Sequence, residues 1–105
     1  MSGISTHVLD TSRGKPVPNV LVHLIRQETE IFSTRTNTDG RCPALLPPNE
    51  RLIPGIYRLV FETGAYFENS FYPEVSISFT VTDISAHYHV PLLISPFGFT
   101  TYRGS

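Results

Sequence analysis

The stretch Glu74-Val75-Ser76-Ile77-Ser78-Phe79-Thr80-Val81-Thr82-Asp83 decides the fold class. Val75, Ile77, Phe79 and Val81 alternate with Ser76, Ser78, Thr80 and Thr82. A period of two describes a strand with one face on a core and the other wet or at an interface. Four further stretches read as strands rich in β-branched and aromatic residues: Ile4–Asp10, Asn19–Arg26, Ile31–Asn37 and Gly55–Thr63. In Asn19–Arg26, Val20, Val22 and Leu24 form one face, and Leu21, His23 and Ile25 the other. Turn chemistry separates the strands at short intervals, notably Gly14-Lys15-Pro16, Thr38-Asp39-Gly40-Arg41 and Ile53-Pro54-Gly55. About eight strands at this spacing predict an all-β sandwich or barrel. The one plausible helix is a turn or two over 64–70.

Composition supports one domain over residues 1–105. Nine prolines and seven glycines in 105 residues disfavour long helices. Eight basic residues face nine acidic ones, for a formal net charge of -1. Without a basic stripe, a nucleic-acid partner has no electrostatic footprint. The apolar runs, such as Pro91-Leu92-Leu93-Ile94, fall far short of the ~20 residues a membrane-spanning helix needs. The opening Met1-Ser2-Gly3-Ile4-Ser5-Thr6-His7 has no leader pattern, so a cytoplasmic protein is expected. Cys42 is the only cysteine, so no disulfide can form within the chain.

Four histidines stand out against so few charges. His87 and His89 lie two apart in Ser85-Ala86-His87-Tyr88-His89-Val90-Pro91, so a strand would project both from one face. With a third histidine such a pair could ligate zinc. It could equally be polar residues on a wet face, or neutral imidazoles acting as acid and base. His7 has Ser5 and Leu9 as same-face neighbours. His23 looks like a satisfied strand histidine without a visible partner. Cys42, next to Pro43, shows no sign of activation and reads as a small hydrophobe. Arg41, after the Asp-Gly turn, could hold a planar or carbonyl-rich ligand through its fork of donors. The tail from Ser95 to Ser105 carries three aromatics and an arginine but no acid, so it should be packed rather than solvated.

Thr6-His7-Val8-Leu9-Asp10 followed by Gly14-Lys15-Pro16 resembles the opening strand of the transthyretin family. Thr38-Asp39-Gly40-Arg41 resembles its next motif. His87-Tyr88-His89-Val90-Pro91-Leu92-Leu93 and Tyr102-Arg103-Gly104-Ser105 are similar to the branch of that family that hydrolyses 5-hydroxyisourate. The resemblance runs in order over essentially the whole chain. It implies a sandwich of two four-stranded sheets with one short helix, with the strands of His7 and His89 side by side. It also implies a homotetramer, a dimer of dimers, with clefts between the dimers.

By the same resemblance, His7, His89 and Arg41 are the catalytic residues. His7, Arg41, Tyr102, Arg103 and Ser105 bind substrate, and His87 supports. No metal and no organic cofactor is implied. Either His7 or His89 would deprotonate water. A peroxisomal location is the alternative if the source is eukaryotic, although the tail is not Ser-Lys-Leu. The competing function is a small-molecule carrier on the same scaffold, without catalysis. A carrier's channel needs an apolar lining, whereas imidazoles and a guanidinium are costly to desolvate there and suit a reaction.

Overall fold

The computed structural model describes residues 3–105. Met1 and Ser2, the start of the segment expected to lack a leader pattern, lie outside the described residues. Among the described residues, ten strands form two antiparallel-rich sheets that pack face to face. One sheet has the order β4 (Thr29–Arg35), β3 (Leu21–Arg26), β6 (Gly55–Glu62), β7 (Val75–Val81). β7 is the alternating stretch. Val75 and Val81 are buried, and Ser76, Ser78 and Thr80 are exposed. In β3, Val22 and Leu24 are fully buried, as expected for the inner face.

The second sheet is organised around β1 (Gly3–Asp10), which changes partners along both edges. On one edge it runs parallel to β8 (His87–His89) and then to β9 (Leu92–Ser95). The break between these falls at Val90-Pro91, where proline has no N–H to give the ladder. On the other edge it pairs with β5 (Arg41–Cys42) and then with β2 (Lys15–Pro16). β10 (Gly98–Thr101) closes the sheet against β9. The expected pair of four-stranded sheets is therefore corrected: this sheet has six strands, because both edges of β1 are shared between short partners.

The core lies between the sheets. Val8 and Leu92 from one meet Val22, Leu24, Leu59 and Phe61 from the other, all fully buried. Burying each such side chain contributes roughly 1.5–3 kcal/mol. Tyr57, also fully buried, keeps its phenol oxygen satisfied by accepting from the Ile53 N–H at 3.1 Å.

The expected helix over 64–70 does not form: no helix occurs among the described residues. Cross-loop bonds hold the segment instead of helical ones. The Gly64 N–H donates to the Pro73 carbonyl at 2.8 Å, and the Phe71 N–H donates to the Pro96 carbonyl at 2.8 Å. The Tyr66 hydroxyl donates to Asp10 Oδ2 at 2.8 Å, which ties the loop to the end of β1. Burial by itself would raise the Asp10 carboxyl. Hydrogen bonds from Ser12, Tyr66 and Arg13 outweigh burial and hold it below the usual range.

His23 has partners that its sequence neighbourhood does not reveal. Its Nδ1 lies 2.5 Å from Glu30 Oε1 on β4, and its Nε2 lies 2.5 Å from Glu62 Oε2 on β6. The Glu62 bond raises its pKa most, burial opposes, and Glu30 adds to the rise.

Candidate active site

The site is built on the outer face of β1 and its two partners. Ser5 and His7 share this face of β1. The parallel register sets Ser5 opposite His89, and the antiparallel one sets His7 opposite Arg41. Tyr88 is buried between the two histidines of β8, so His87 and His89 project together on the other side. The Tyr88 ring stays inside because its hydroxyl accepts from the N–H groups of Thr82 and Asp83, at 3.1 and 3.0 Å.

Arg41 is placed by the Asp-Gly turn. The N–H groups of Asp39 and Arg41 both donate to Asn37 Oδ1, at 2.9 and 3.0 Å. Gly40 has φ 74°, and a Cβ there would lie 2.5 Å from the Val8 carbonyl oxygen. Only glycine lets the turn press against β1 so closely. The Gly40 carbonyl accepts from the Val8 N–H at 2.7 Å, which completes the attachment. The side chain of Arg41 makes no ion pair among the described residues, so its donors stay available for a ligand.

Ser5, Arg41, His87, His89 and Ser105 line one cavity of about 310 Å³. Ser5 Oγ is hydrogen-bonded to His87 Nε2 at 2.7 Å and to His89 Nδ1 at 2.8 Å. This makes Ser5 the centre of the histidine pair. Nothing near it in sequence announces that, since its partners are 82 and 84 residues away. His89 Nε2 has no protein partner among the described residues. No buried side-chain nitrogen or oxygen of the described residues lacks one, so Nε2 is not sealed from solvent, and His89 lines the cleft. Burial holds the His89 pKa below its usual 6.5, and Arg41, His7 and His87 push in the same direction. His89 is therefore a neutral imidazole near pH 7, with a lone pair to offer.

His7 sits beside this cavity rather than in its lining. Its Nε2 bonds the Asp39 carbonyl at 2.9 Å. A carbonyl only accepts, so Nε2 carries the proton and Nδ1 is left as the acceptor when the ring is neutral. The tail folds back across His89. The Gly104 N–H donates to the His89 carbonyl at 2.8 Å, and a Cβ on Gly104 would lie 2.5 Å from His89 Cδ2. The tail is tied down by its backbone, but the expectation that its aromatics are packed is corrected: Phe97, Phe99 and Tyr102 are exposed in the single chain. Of its residues, Ser105 reaches the cleft. Tyr102 and Arg103 do not line it; they line a second cavity of about 340 Å³ with Phe79, Tyr88 and His89. There the Arg103 guanidinium covers the Tyr88 ring at 4.7 Å. Within one chain the fold gathers Arg41, His87, His89 and Ser105, flanks them with His7, and sets Tyr102 and Arg103 apart. Cys42 is buried behind Arg41, and burial pushes its thiol up to about 11, so it is no nucleophile.

The family profile described as "HIUase/Transthyretin family" matches residues 4–104. The chain belongs to the HIUase/transthyretin family. Within it, the chain is similar to the 5-hydroxyisourate hydrolase of Mus musculus, with 45% identity over 114 residues, covering 99% of this chain and 96% of the relative. Among solved structures it matches the Klebsiella pneumoniae 5-hydroxyisourate hydrolase at a TM-score of 0.88. The two are 39% identical, over 99% of this chain and 100% of the other. The transthyretin of Sparus aurata shares the HIUase/transthyretin fold at a TM-score of 0.86. It is only 25% identical, over 99% of this chain and 97% of the other. Two sheets and the all-β class thus agree with both branches of the family, and sequence identity sides with the hydrolases.

Proposed function

We propose that this protein hydrolyses 5-hydroxyisourate, opening its ring to 2-oxo-4-hydroxy-4-carboxy-5-ureidoimidazoline by attack of water on a ring amide carbonyl. The observation that carries this reading is His89. It lines a cleft with Nε2 free of any protein partner among the described residues, its pKa held down by burial, and the same cleft is lined by the Arg41 guanidinium, which makes no ion pair there. His89 Nε2 takes a proton from water as the water oxygen bonds to the carbonyl carbon. Arg41 donates to the oxygen that gains charge, in a site where such donors are worth more than in water. The C–N bond then breaks, and the leaving nitrogen receives the proton from His89. His7, with its tautomer set by the Asp39 carbonyl, presents Nδ1 as an acceptor for a ring N–H of the substrate. Ser105 bounds the cleft beside His89.

A homotetramer, arranged as a dimer of dimers, completes the cleft in this reading. Support comes from the aromatic side chains left exposed on the edge strand β10 and its flanks. Phe97 is 73% exposed, Phe99 41% and Tyr102 57%, and such surface favours association. A carrier on the same scaffold is not favoured, because two imidazoles and a guanidinium stand in the lining of the cleft.

The test is direct. The substrate is generated in the cuvette from urate by urate oxidase, and its ultraviolet absorbance is followed. Wild-type protein should accelerate the decay, with or without EDTA. His89→Gln should lower kcat by ~10²-fold or more. Equal decay with and without protein would sink the hydrolase reading. Loss of activity in EDTA with recovery on zinc would replace the general base by a metal.

A further inference from the structure

The two hydrogen bonds at Ser5 constrain where protons can be. A serine hydroxyl has one proton, and a neutral imidazole has one N–H and one lone pair. Ser5 Oγ bonds His87 Nε2 at 2.7 Å and His89 Nδ1 at 2.8 Å. With both rings neutral, Oγ can accept from both rings and donate elsewhere, or it can donate to one ring and accept from the other. Two arrangements of the second kind keep the hydroxyl proton between the rings. In the first, His87 Nε2–H donates to Ser5 and Ser5 donates to His89 Nδ1. His89 then carries its proton on Nε2 and has no base to offer the cleft. In the second, His89 Nδ1–H donates to Ser5 and Ser5 donates to His87 Nε2. His89 Nε2 then holds the lone pair, and only this arrangement both offers water a base and leaves His87 Nε2 open to a relayed proton.

We propose that Ser5 is a positioning residue that links His89 to His87 as a proton relay, so that the charge taken up in the cleft leaves through the solvent-facing His87. This rests on the hydrolase reading above. As His89 Nε2 accepts the proton of water, the Nδ1 proton passes to Ser5 Oγ. The Ser5 proton passes to His87 Nε2. The water oxygen keeps the electron pair and forms the new C–O bond. His87, already protonated on Nδ1, becomes the imidazolium. The reverse movement returns a proton to the leaving nitrogen when the C–N bond breaks.

The surroundings favour this movement of charge. A cation on His89 would face Arg41 from β5 and His7 from β1, with the tail backbone of Gly104 against its ring. His87 is exposed, and charge on it is hydrated. Ser5 itself is buried, so bulk water does not freely take the place of its hydroxyl.

Four variants and one spectroscopic measurement test the relay: Ser5→Ala, Ser5→Thr, His87→Gln and the double variant Ser5→Ala/His87→Gln. Ser5→Ala should lower kcat by ~10-fold or more while KM stays within about threefold. Ser5→Thr retains a hydroxyl and should restore most of the loss. The double variant should be no slower than the worse single one, because both changes cut the same relay. Nitrogen-15 NMR of the histidines needs no substrate. In the wild type it should show Nδ1 of His89 protonated and Nε2 bare, a bias lost in Ser5→Ala. A proton on His89 Nε2 in the wild type, an unchanged kcat in Ser5→Ala, or additive losses in the double variant would each overturn the relay. A protein with no turnover would remove the hydrolase reading, while the NMR spectrum would still decide the hydrogen-bond arrangement.

Discussion

Gly104→Ala offers a sharp probe of how the tail serves the site. The added Cβ would stand 2.5 Å from His89 Cδ2, 3.2 Å from Cγ and 3.4 Å from Cβ. Carbon atoms rest at about 3.5–4.0 Å, so the ring or the tail must move by about 1 Å. The φ of Gly104 is not in the left-handed region, so alanine meets no backbone penalty and the effect is purely steric. Two responses are open. If the ring turns, Nδ1 leaves Ser5 and Nε2 leaves its line to the carbonyl. If the tail lifts, the 2.8 Å bond from the Gly104 N–H to the His89 carbonyl is lost and Ser105 leaves the cleft. Both misplace catalytic groups by about 1 Å, which costs about 10²-fold in rate. Stability changes far less, because losing one partly exposed hydrogen bond costs about 1 kcal/mol. A fall in Tm of no more than about 8 °C is expected for a domain of this size. The assay is the absorbance decay of enzymatically generated 5-hydroxyisourate, with Tm measured on the same preparation. Wild-type kcat in Gly104→Ala would refute the seating of His89 on the tail.

Arg41→Gln should lower kcat/KM by ~10²–10³-fold, as for loss of one oxyanion donor. It should also move the acid limb of the pH profile upward. Burial depresses His89 most, and Arg41 adds to it, so removing the cation lets the pKa rise towards 6.5. An acid limb that stays in place would separate Arg41 from His89. His23→Gln tests the Glu30–His23–Glu62 cluster. The folded pKa of His23 is raised, so the stabilisation is fully present below 6.5 and is lost as pH rises through the folded value. The glutamates are about half exposed, so the advantage of wild type should be about 1 kcal/mol or less at low pH. A Tm gap that does not narrow as pH rises above 6.5 would contradict this linkage. Gln27 and Glu28 connect β3 to β4 with φ of 52° and 66°, a left-handed pair with no glycine. Glu28→Gly should raise stability by up to about 1 kcal/mol, because a left-handed side chain costs ~1–2 kcal/mol and glycine's chain entropy returns part of that. A lower Tm would show that the Glu28 side chain contributes more than its backbone costs.

Local pattern carried the elements whose cause is local. The alternation of β7, the two faces of β3 and the projection of His87 and His89 from one side all follow from the strand period. The turn that places Arg41 was legible in Asp39-Gly40, because glycine's conformational freedom is written in the residue itself. The family motifs carried His7, Arg41 and His89 as a set. The helix expected over 64–70 does not form, and the segment is tied at Gly64 to Pro73 and at Tyr66 to Asp10, neither of them within it.

What the sequence determined by itself is the all-β class, the strand faces, and which side chains could share a surface. Tertiary structure decided which of them meet. Ser5 gains its place between two imidazoles only because β1 and β8 run parallel in one register. A shift of one residue would turn Ser5 inward and dissolve the pair. His23 finds Glu30 and Glu62 because β3 is central between β4 and β6. Gly104 meets His89 because the tail returns along β8. Pairings between residues so distant in the chain are fixed by the packing of two sheets on one core, and no local stretch of residues encodes them.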